Sequence, residues 1–453
     1  MVNELRGYQT KDKLPDIFAA FHSEMSLVRD HVEELRWRGL LHDSMPGTQE
    51  FLNQAPASGY IGFDPTADSL HVGNLVQIMM LKHFQESGHR PIALVGGATG
   101  MVGDPSGKST ERNLLDEDAL RHNQECVGKQ LALFIDFNSK TRPAEMVNNY
   151  DWFKDMGFLR FIREVGKHIP VNYMLAKDSV KNRMESGISF TEFTYQLVQG
   201  YDYYWLYKNK GCKLQMGGSD QWGNITTGTE LIRRMDGGEA YAITTPLLTK
   251  ADGSKFGKSE GGNIWLDAKR TSPYKFHQFW YNVSDSEAAR YLRIFTTMSQ
   301  EQIIALEQEH AEVPHNRVMQ KNLSKFITSI VHSEDAWIAA WRGSRALFYD
   351  ETMDGMWNMD TYLWDEIFEG LPQREIPRDH LLRPIEMIEL LSDMTGFLPS
   401  RGEAKRALKE ASISVNKQKV TEDYAVSMKD LVRDKYLLLQ RGKKNYFLVK
   451  IVG

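Results

Sequence analysis

The fold is decided by residues 59–100, which read GYIGFDPTADSLHVGNLVQIMMLKHFQESGHRPIALVGGATG. The apolar run 60–63 predicts a short strand, and the polar residues after it predict a turn. A helix is predicted over about 71–87, and Gly88 is a suitable C-cap. The continuous apolar run 91–95 predicts a second strand that is covered on both faces. A strand, a helix, a strand and a glycine-rich turn in this order are typical of parallel α/β domains that bind nucleotides.

A second α/β round follows, together with a longer helical stretch. The elements predicted there are a helix over 190–206, a strand over 212–216 that runs into two glycines, a helix from about Asn224, a strand over 244–249 and a polar loop over 250–262. Residues 275–345 have apolar and aromatic spacing suited to a helical bundle. We therefore predict an α/β fold with a Rossmann-type parallel sheet, followed by a helical domain.

Length and composition place the chain among globular proteins. Its 453 residues are 41% hydrophobic and 25% charged, which suits about two to four domains. Cys126 and Cys212 cannot form a disulfide framework, and no Cys or His spacing suits zinc, so we predict no metal site. No apolar run approaches the ~20 residues of a membrane-spanning helix, and charges interrupt any N-terminal signal peptide. We expect a cytoplasmic protein that does not enter a membrane.

The last part of the chain is basic, although the whole chain has a net charge of −5. Residues 401–453 contain 13 Lys and Arg against 6 Asp and Glu, whereas residues 348–373 contain seven acidic residues and no basic one. The acidic stretch is either helical with a solvated face or a linker. A basic module on an acidic body is expected where one part contacts a phosphate backbone, although a solvated basic surface without a partner has the same composition.

A small α+β module is predicted after residue 384. The sequence Ser400-Arg401-Gly402-Glu403 predicts a capping box that opens a helix with basic residues. Residues 413–415 predict a strand, and residues 441–444 predict a basic turn between two further strands.

The first chemical motif is residues 64–74, DPTADSLHVGN. A helix that starts near His71 points free N–H groups and the positive end of its dipole at the preceding loop, which suits an anion. His71 and Asn74 share one helix face. Gly73 costs about 1 kcal/mol of helix stability, which makes sense where a flat ring lies close to the backbone. A capped surface helix with an incidental His and Gly is the alternative.

The second chemical motif is residues 250–259, KADGSKFGKS. Its glycines and three lysines allow a loop to fold over a polyphosphate and to stabilise charge that develops in a transition state. Alone, it also suits a solvated basic loop. Residues 103–109, GDPSGKS, resemble a P-loop, but Val102 occupies the position of a required glycine, so we reject a P-loop there.

The two motifs resemble the HIGH and KMSKS signatures of class I aminoacyl-tRNA synthetases, in the forms HVGN and KFGKS. Further stretches resemble bacterial tyrosyl-tRNA synthetases, namely YIGFDPT at 60–66, LVGGATG at 94–100, GISFTEF at 187–193 and GGSDQWGN at 217–224. The resemblance covers the chain from about Leu35 to the C-terminus, and residues 1 to about 30 lie outside it. Many members have His where this chain has Asn74, and Asn can still donate a hydrogen bond.

The resemblance implies a tyrosine-binding site. Tyr60 and Asp202 would bind the phenolic hydroxyl of the substrate, and Gln221 would face its carboxylate. The group implied for the ammonium consists of Asp104, Tyr195 and Gln199. Without the resemblance, Tyr195 and Asp202 are interpreted as a buried aromatic residue and a satisfied carboxylate.

The resemblance also implies binding of ATP, with Mg²⁺ accompanying ATP and pyrophosphate. The residues implied for ATP are Gly62, Asp64, Gly73, Gly218, Asp220 and Lys258. The residues implied for catalysis are Thr66, His71, Asn74, Lys108, Arg112, Lys255 and Lys258. Asp64 is alternatively a structural turn carboxylate.

The implied partners are tRNA(Tyr) and a second copy of the chain in a homodimer. The domains expected are an N-terminal extension and helix over 1–50, a catalytic domain over 51–272, a helical anticodon-region domain over 273–347, an acidic linker over 348–384 and an RNA-binding domain over 385–453. The residues expected to contact tRNA are Arg401, Lys405, Arg406, Lys443 and Lys444. The rival functions are the sister ligase for tryptophan, a non-catalytic RNA-binding protein and a nucleotidyltransferase that does not use tRNA.

Overall fold

A computed structural model describes residues 29–104, 106, 117–184, 187–249, 253, 256–259, 262–348, 361–368, 372–442 and 445–453. Their contacts divide the chain into two compact units. Unit 1 contains residues 1–64, 80–114 and 135–246, and unit 2 contains residues 65–79, 115–134 and 247–453. No helix within the described ranges is both long and apolar enough to cross a bilayer.

The chain mixes helices and strands up to residue 245, with a run of helices between residues 150 and 210, and is mainly helical over the next hundred residues. The described α-helices are α1 His31–Arg38, α2 Thr48–Gln54, α3 Leu75–Glu86, α4 Thr99–Val102, α5 Glu117–Leu131, α6 Tyr150–Phe153, α7 Phe158–Glu164, α8 Val171–Leu175, α9 Asp178–Met184, α10 Phe190–Lys210, α11 Trp222–Asp236, α12 Pro273–Tyr281, α13 Asp285–Phe295, α14 Gln300–Glu312, α15 Val318–Val331, α16 Glu334–Phe348, α17 Thr361–Ile367 and α18 Arg401–Lys409. The described strands are β1 Asp43–Ser44, β2 Ser58–Phe63, β3 Arg90–Val95, β4 Glu145–Asn148, β5 Leu214–Gly218, β6 Tyr241–Thr245, β7 Lys258–Ser259, β8 Gly262–Asn263, β9 Gln373–Pro377, β10 Ile385–Glu386, β11 Ile413–Val415, β12 Gln418–Lys419, β13 Ala425–Val426, β14 Tyr436–Arg441 and β15 Asn445–Val452.

Unit 1 is built on a six-stranded sheet with the order β1-β6-β5-β2-β3-β4, and only the short edge strand β1 is antiparallel. Five of the six residues of β3 are buried, as predicted for a strand covered on both faces. Tyr60 and Ile92 pair between β2 and β3, and both pack with Tyr203 and Leu206 of α10. The strand order reverses between β2 and β5, where α/β proteins place ligands beyond the carboxyl ends of the strands. The predicted α/β fold is confirmed.

Two strands of this sheet differ from their predicted bounds. The strand predicted over 212–216 is Leu214–Gly218, because the N–H of Cys212 still bonds to the carbonyl of Leu206 and so closes the end of α10. The strand predicted over 244–249 is Tyr241–Thr245. It ends there because Pro246 has no N–H to continue the ladder.

The first motif opens with a tighter turn than predicted. Residues Val72–Asn74 form a 3₁₀ turn, with His71 as its N-cap, and the α-helix starts only at Leu75. Such tight turns are frequent at helix N-termini. The polar loop predicted over 250–262 contains an antiparallel pair, β7 with β8.

Unit 2 contains the helices α12–α16 and a five-stranded sheet with the order β12-β11-β14-β15-β9. Strand β9 pairs in parallel with β15, and Ile376 of β9 is 3% exposed. The sheet therefore starts at Gln373, ahead of the module boundary predicted at 385. Within the acidic stretch, the described residues Thr361–Ile367 are helical.

An aromatic cluster joins the helices of unit 2 to this sheet. Trp364 of α17 is fully buried and stacks on Tyr436 of β14, with ring centroids 5.0 Å apart. Tyr274 of α12 and Ala340 of α16 belong to the same core. The helical region and the C-terminal sheet consequently share one core.

Candidate active site

In unit 1, helix α10 presents one face beside the carboxyl end of β2. The helix begins with a capping box formed by Ser189 and Glu192. Tyr195, Gln199 and Asp202 are spaced four and three residues apart, so they lie on one side of the helix. Tyr195 is 4% exposed and Asp202 is 1% exposed. The structure thus brings these three predicted side chains together, as their spacing implied.

Asp202 is a buried carboxylate with two side-chain donors. Asn149 donates from Nδ2 at 3.0 Å and Trp152 donates from Nε1 at 2.9 Å. Burial raises the pKa of Asp202 to about 8; these two hydrogen bonds oppose the rise, and the charge of Asp64 adds to it. Neither donor was predicted from the sequence, because a lone Asn and a Trp at the end of a strand have no distinctive spacing.

The hydroxyl of Tyr60 is buried and has no hydrogen-bond partner within the described part of the chain. Burial raises the pKa of Tyr60 well above its usual value, and the charge of Asp202 adds to that rise. The hydroxyl therefore stays protonated and can both donate and accept. A buried hydroxyl without a partner costs free energy until a ligand satisfies it.

Asp64 belongs to a hydrogen-bond network. Tyr195 donates from its hydroxyl to Asp64 Oδ2 at 3.0 Å, and Thr99 donates from Oγ1 to Asp64 Oδ1 at 2.7 Å. Asn149 donates to Thr99 Oγ1 at 3.1 Å as well as to Asp202. A Cβ on Gly96 would lie 2.3 Å from oxygens of both Asp64 and Thr99. The network therefore requires glycine at position 96 and links Asp64 to Asp202.

Asp104 lies among amide donors beside the end of β5. Gln221 donates from Nε2 to Asp104 Oδ2 at 2.7 Å, and the backbone N–H of Ser106 donates to Oδ1 at 2.9 Å. Asp104 is 7% exposed. Among the described residues, Oε1 of Gln199 is buried without a donor. A carboxylate and a free amide oxygen in the same unit suit a cationic ligand.

The other predicted residues differ in exposure. Gly62 and Asp220 are exposed, and Gly218 is the buried last residue of β5. A Cβ at Gly62 would have as its nearest described neighbour an atom of Leu94 at 3.8 Å. Thr66 of unit 2 is also exposed.

In unit 2, the side chain of His71 is fixed by the turn that it caps. The N–H of Gly73 donates to Nδ1 of His71 at 3.0 Å, and Oδ1 of Asn74 accepts from the N–H of His71 at 3.0 Å. Because Nδ1 accepts, the proton of the neutral ring is on Nε2. The Nε2–H group can donate to an anion.

The chain after the second motif runs alongside the first motif. The N–H of Val72 donates to the carbonyl of Ile264 at 2.9 Å. His71 and Trp265 form an antiparallel bridge, and their rings meet edge to face with centroids 5.9 Å apart. The chain segments that carry the two motifs therefore pair with each other within unit 2.

Glycines occupy both segments where they meet. Gly257 has φ +83°, and a Cβ there would lie 2.8 Å from Val72 Cγ2 and 3.1 Å from the backbone N of Gly73. A Cβ on Gly73 would lie 2.8 Å from Cε1 of His71. The imidazole of His71 itself is thus the flat ring beside Gly73, a reason for the glycine that the sequence did not reveal.

Several predicted residues lie outside the described part of the chain. These are Lys108, Arg112, Lys255, Lys443 and Lys444. Lys258 lies in β7, but its side chain is not among those described. Within the described residues, no three His, Cys, Asp or Glu side chains are grouped as metal ligands.

The basic helix α18 begins at the predicted N-cap, with Ser400 accepting from the N–H of Glu403 at 3.2 Å, but no capping box forms because the Glu403 side chain turns to another partner. The carboxylate of Glu403 pairs with Arg441 at 2.7 Å. On the same helix Arg401, Lys405 and Arg406 are exposed. Arg401 and Lys405 also form surface ion pairs. Surface ion pairs are worth about 0–1 kcal/mol, so they leave these cations available to a phosphate.

Comparisons with known proteins define the class. Residues 52–349 match the family model described as tRNA synthetases class I (W and Y). Residues 364–449 match the one described as the tyrosine–tRNA ligase SYY-like C-terminal domain. The fold and both matched ranges are those of a class I tRNA synthetase.

Sequence relatives define the particular family. The tyrosine–tRNA ligase of Porphyromonas gingivalis is 58% identical over 424 residues, covering 92% of this chain and 99% of that protein. The tyrosine–tRNA ligase of Flavobacterium johnsoniae is 57% identical over 431 residues, covering 94% of this chain and 100% of that protein. A solved structure of a C-terminally truncated mitochondrial tyrosyl-tRNA synthetase from Aspergillus nidulans has a TM-score of 0.64 at 32% identity and covers 70% of this chain and 94% of its own. This chain belongs to the tyrosine–tRNA ligase family, as the sequence resemblance predicted.

Proposed function

We propose that the chain activates L-tyrosine with ATP and transfers the tyrosyl group to the 3′ end of tRNA(Tyr). One observation supports the choice of amino acid: the hydroxyl of Tyr60 has no partner among the described residues, and both it and the carboxylate of Asp202 are buried. The phenolic hydroxyl of tyrosine would bond to both groups. Phenylalanine would leave them buried and unpaired, at the cost of their desolvation.

The polar groups of the substrate backbone would bind beside this pair. The ammonium group would bind to the carboxylate of Asp104 and to the side-chain oxygens of Tyr195 and Gln199. The side chain of Gln221 would face the carboxylate of the substrate. The Asp104–Gln221 hydrogen bond, at 2.7 Å, holds these two side chains in a defined arrangement. Holding both ends of the substrate leaves its carboxylate oriented towards ATP.

In the first step, a carboxylate oxygen of tyrosine attacks the α-phosphorus of ATP and forms a new P–O bond. The bond to the β-phosphate breaks, and pyrophosphate leaves with its Mg²⁺. The Nε2–H of His71 and the amide of Asn74 would donate to the phosphate as charge develops. The remaining residues assigned to ATP and pyrophosphate are Gly62, Asp64, Thr66, Gly73, Lys108, Arg112, Gly218, Asp220, Lys255 and Lys258.

In the second step, a hydroxyl of the terminal tRNA ribose attacks the carbonyl carbon of tyrosyl-AMP. An ester forms and AMP leaves with the electrons of the broken C–O bond. Arg401, Lys405 and Arg406 on the exposed face of α18 would contact tRNA phosphates, and Lys443 and Lys444 are proposed to do the same.

Amino-acid-dependent exchange of pyrophosphate into ATP tests this function. The purified chain is assayed with tyrosine, phenylalanine and tryptophan in parallel. We expect exchange with tyrosine and at least about 100-fold lower kcat/KM with the other two, because neither bonds to Tyr60 and Asp202 in the same way. Exchange with tryptophan alone would identify the sister ligase, and no exchange with tyrosine would refute the proposal.

We also propose that the chain forms a homodimer in the cytoplasm. Six large apolar side chains of unit 1 are between 45% and 81% exposed. They are Phe158, Leu159, Ile162, Val171, Met184 and Phe190. Soluble monomers seldom leave such a group in water, and a second copy of the same chain would cover it. The free thiols of Cys126 and Cys212 suit a reducing compartment.

Charges introduced into this group should separate the subunits. We expect the wild-type chain to sediment as a dimer, and the variant with Leu159→Asp and Phe190→Asp to sediment as a monomer, because the burial of two carboxylates is unfavourable. Leu382→Asp is the matched control, since Leu382 is 80% exposed and lies in unit 2. A dimeric double variant in analytical ultracentrifugation would show that the interface lies elsewhere.

A further inference from the structure

Two polar side chains lie on the buried face of α5. The helix buries the apolar residues Leu120 and Val127 on this face. Asn123 and Gln130 are seven residues apart, so they project from the same side of the helix. Asn123 is 7% exposed and donates from Nδ2 to the carbonyl of Pro65 at 3.0 Å. Burial of a polar side chain on an apolar face costs little free energy only where the side chain makes such hydrogen bonds.

Gln130 makes two hydrogen bonds to the residues just before His71. The N–H of Leu70 donates to Oε1 of Gln130 at 2.7 Å, and Nε2 of Gln130 donates to Oγ of Ser69 at 3.0 Å. Ser69 is 4% exposed, and its Oγ also accepts from the N–H of Asp267 at 3.1 Å. One hydroxyl thus joins α5, the first motif and the chain that follows the second motif.

These contacts lie at one end of the pairing between residues 70–72 and residues 264–266, which holds His71 in position. The N–H of Leu266 donates to the carbonyl of Leu70 at 2.9 Å, beside the bridge between His71 and Trp265. Without Gln130, the buried N–H of Leu70 loses its acceptor and Ser69 loses a donor. The segment would then be free to shift, and a displacement of about 1 Å of a group that stabilises charge is sufficient to slow a reaction.

We propose that Gln130 is a positioning residue for His71 in the activation step, acting through Ser69 and Leu70. This inference rests on the proposed role of His71. Gln130 touches no reacting atom; it holds the backbone from which the imidazole donates to the phosphate. Leu cannot make either hydrogen bond, whereas Glu keeps the acceptor for the N–H of Leu70 and loses the donor to Ser69.

The test is tyrosine-dependent ATP–pyrophosphate exchange by the full chain. We expect Gln130→Leu to lower kcat about tenfold, with KM for tyrosine unchanged, and Gln130→Glu to recover part of the loss. Lys129→Ala is the control, since Lys129 is an exposed neighbour on α5. Circular dichroism and thermal unfolding verify that each variant is folded, and equilibrium dialysis verifies that it still binds tyrosine.

A double-mutant cycle separates positioning from general destabilisation. If Gln130 acts through His71, Gln130→Leu should cost little further activity in a chain that already contains His71→Ala. Equal losses in both backgrounds, a parallel rise in KM for tyrosine, or unchanged kcat in Gln130→Leu would overturn the inference. Failure of the proposed function is distinguishable, because the wild-type chain would then show no exchange or His71→Ala alone would have no effect.

Discussion

The Asp202→Ala variant is expected to lose at least about 100-fold in kcat/KM for tyrosine. The substitution removes the carboxylate partner of the substrate hydroxyl and leaves the donors of Asn149 and Trp152 without their acceptor. Pyrophosphate exchange at varied tyrosine concentration measures the loss, and KM for ATP should not change.

Asp236→Ala is the matched control for this variant. Asp236 is also a carboxylate on a helix, and it accepts from Lys208 at 2.9 Å at the protein surface. Removal of such an exposed ion pair lowers the free energy of unfolding by about 0–1 kcal/mol. Wild-type kcat/KM in Asp202→Ala would show that tyrosine is recognised by other residues.

The Gly257→Ala variant is expected to lower kcat of exchange at least about tenfold more than Gly253→Ala does. The added methyl would collide with Val72 and with the backbone N of Gly73, so the two motifs would have to move apart. Tyrosine binding, measured by equilibrium dialysis, should be preserved, because Tyr60 and Asp202 belong to unit 1.

Gly253→Ala is a close control because it reproduces the backbone strain alone. Gly253 has φ +80° against +83° for Gly257, and no described atom lies within 4 Å of a Cβ built on it. Any cost of a left-handed alanine, about 1–2 kcal/mol, is common to both variants. Equal activity of the two variants would show that the contact between the motifs does not matter for catalysis.

The fold was predictable because the controlling signals are local. A continuous apolar run such as 91–95 has few alternatives to a buried parallel strand, and the spacing of Tyr195, Gln199 and Asp202 places them on one helix face whatever the tertiary context. Strand ends were less predictable. Strand β5 begins only at Leu214 because the N–H of Cys212 bonds to the carbonyl of Leu206, which no spacing encodes.

The supporting residues of the site could not be predicted. Thr99, Asn149, Trp152 and Gln130 act through hydrogen bonds between segments that are far apart in sequence, and each is an ordinary residue in its own segment. The contact between Gly73 and the ring of His71 could not be predicted for the same reason, because it forms only in the folded turn.

The stacking of Trp364 on Tyr436 has an evolutionary consequence. Tyr274 and Ala340 lie in the same core as these rings, so loss of the C-terminal sheet in a descendant would bare apolar surface on the helices that remain. Such a lineage would have to acquire polar substitutions at these positions, or a replacement segment, before the shortened protein became soluble. Gene truncation here is therefore a multistep change rather than a single deletion.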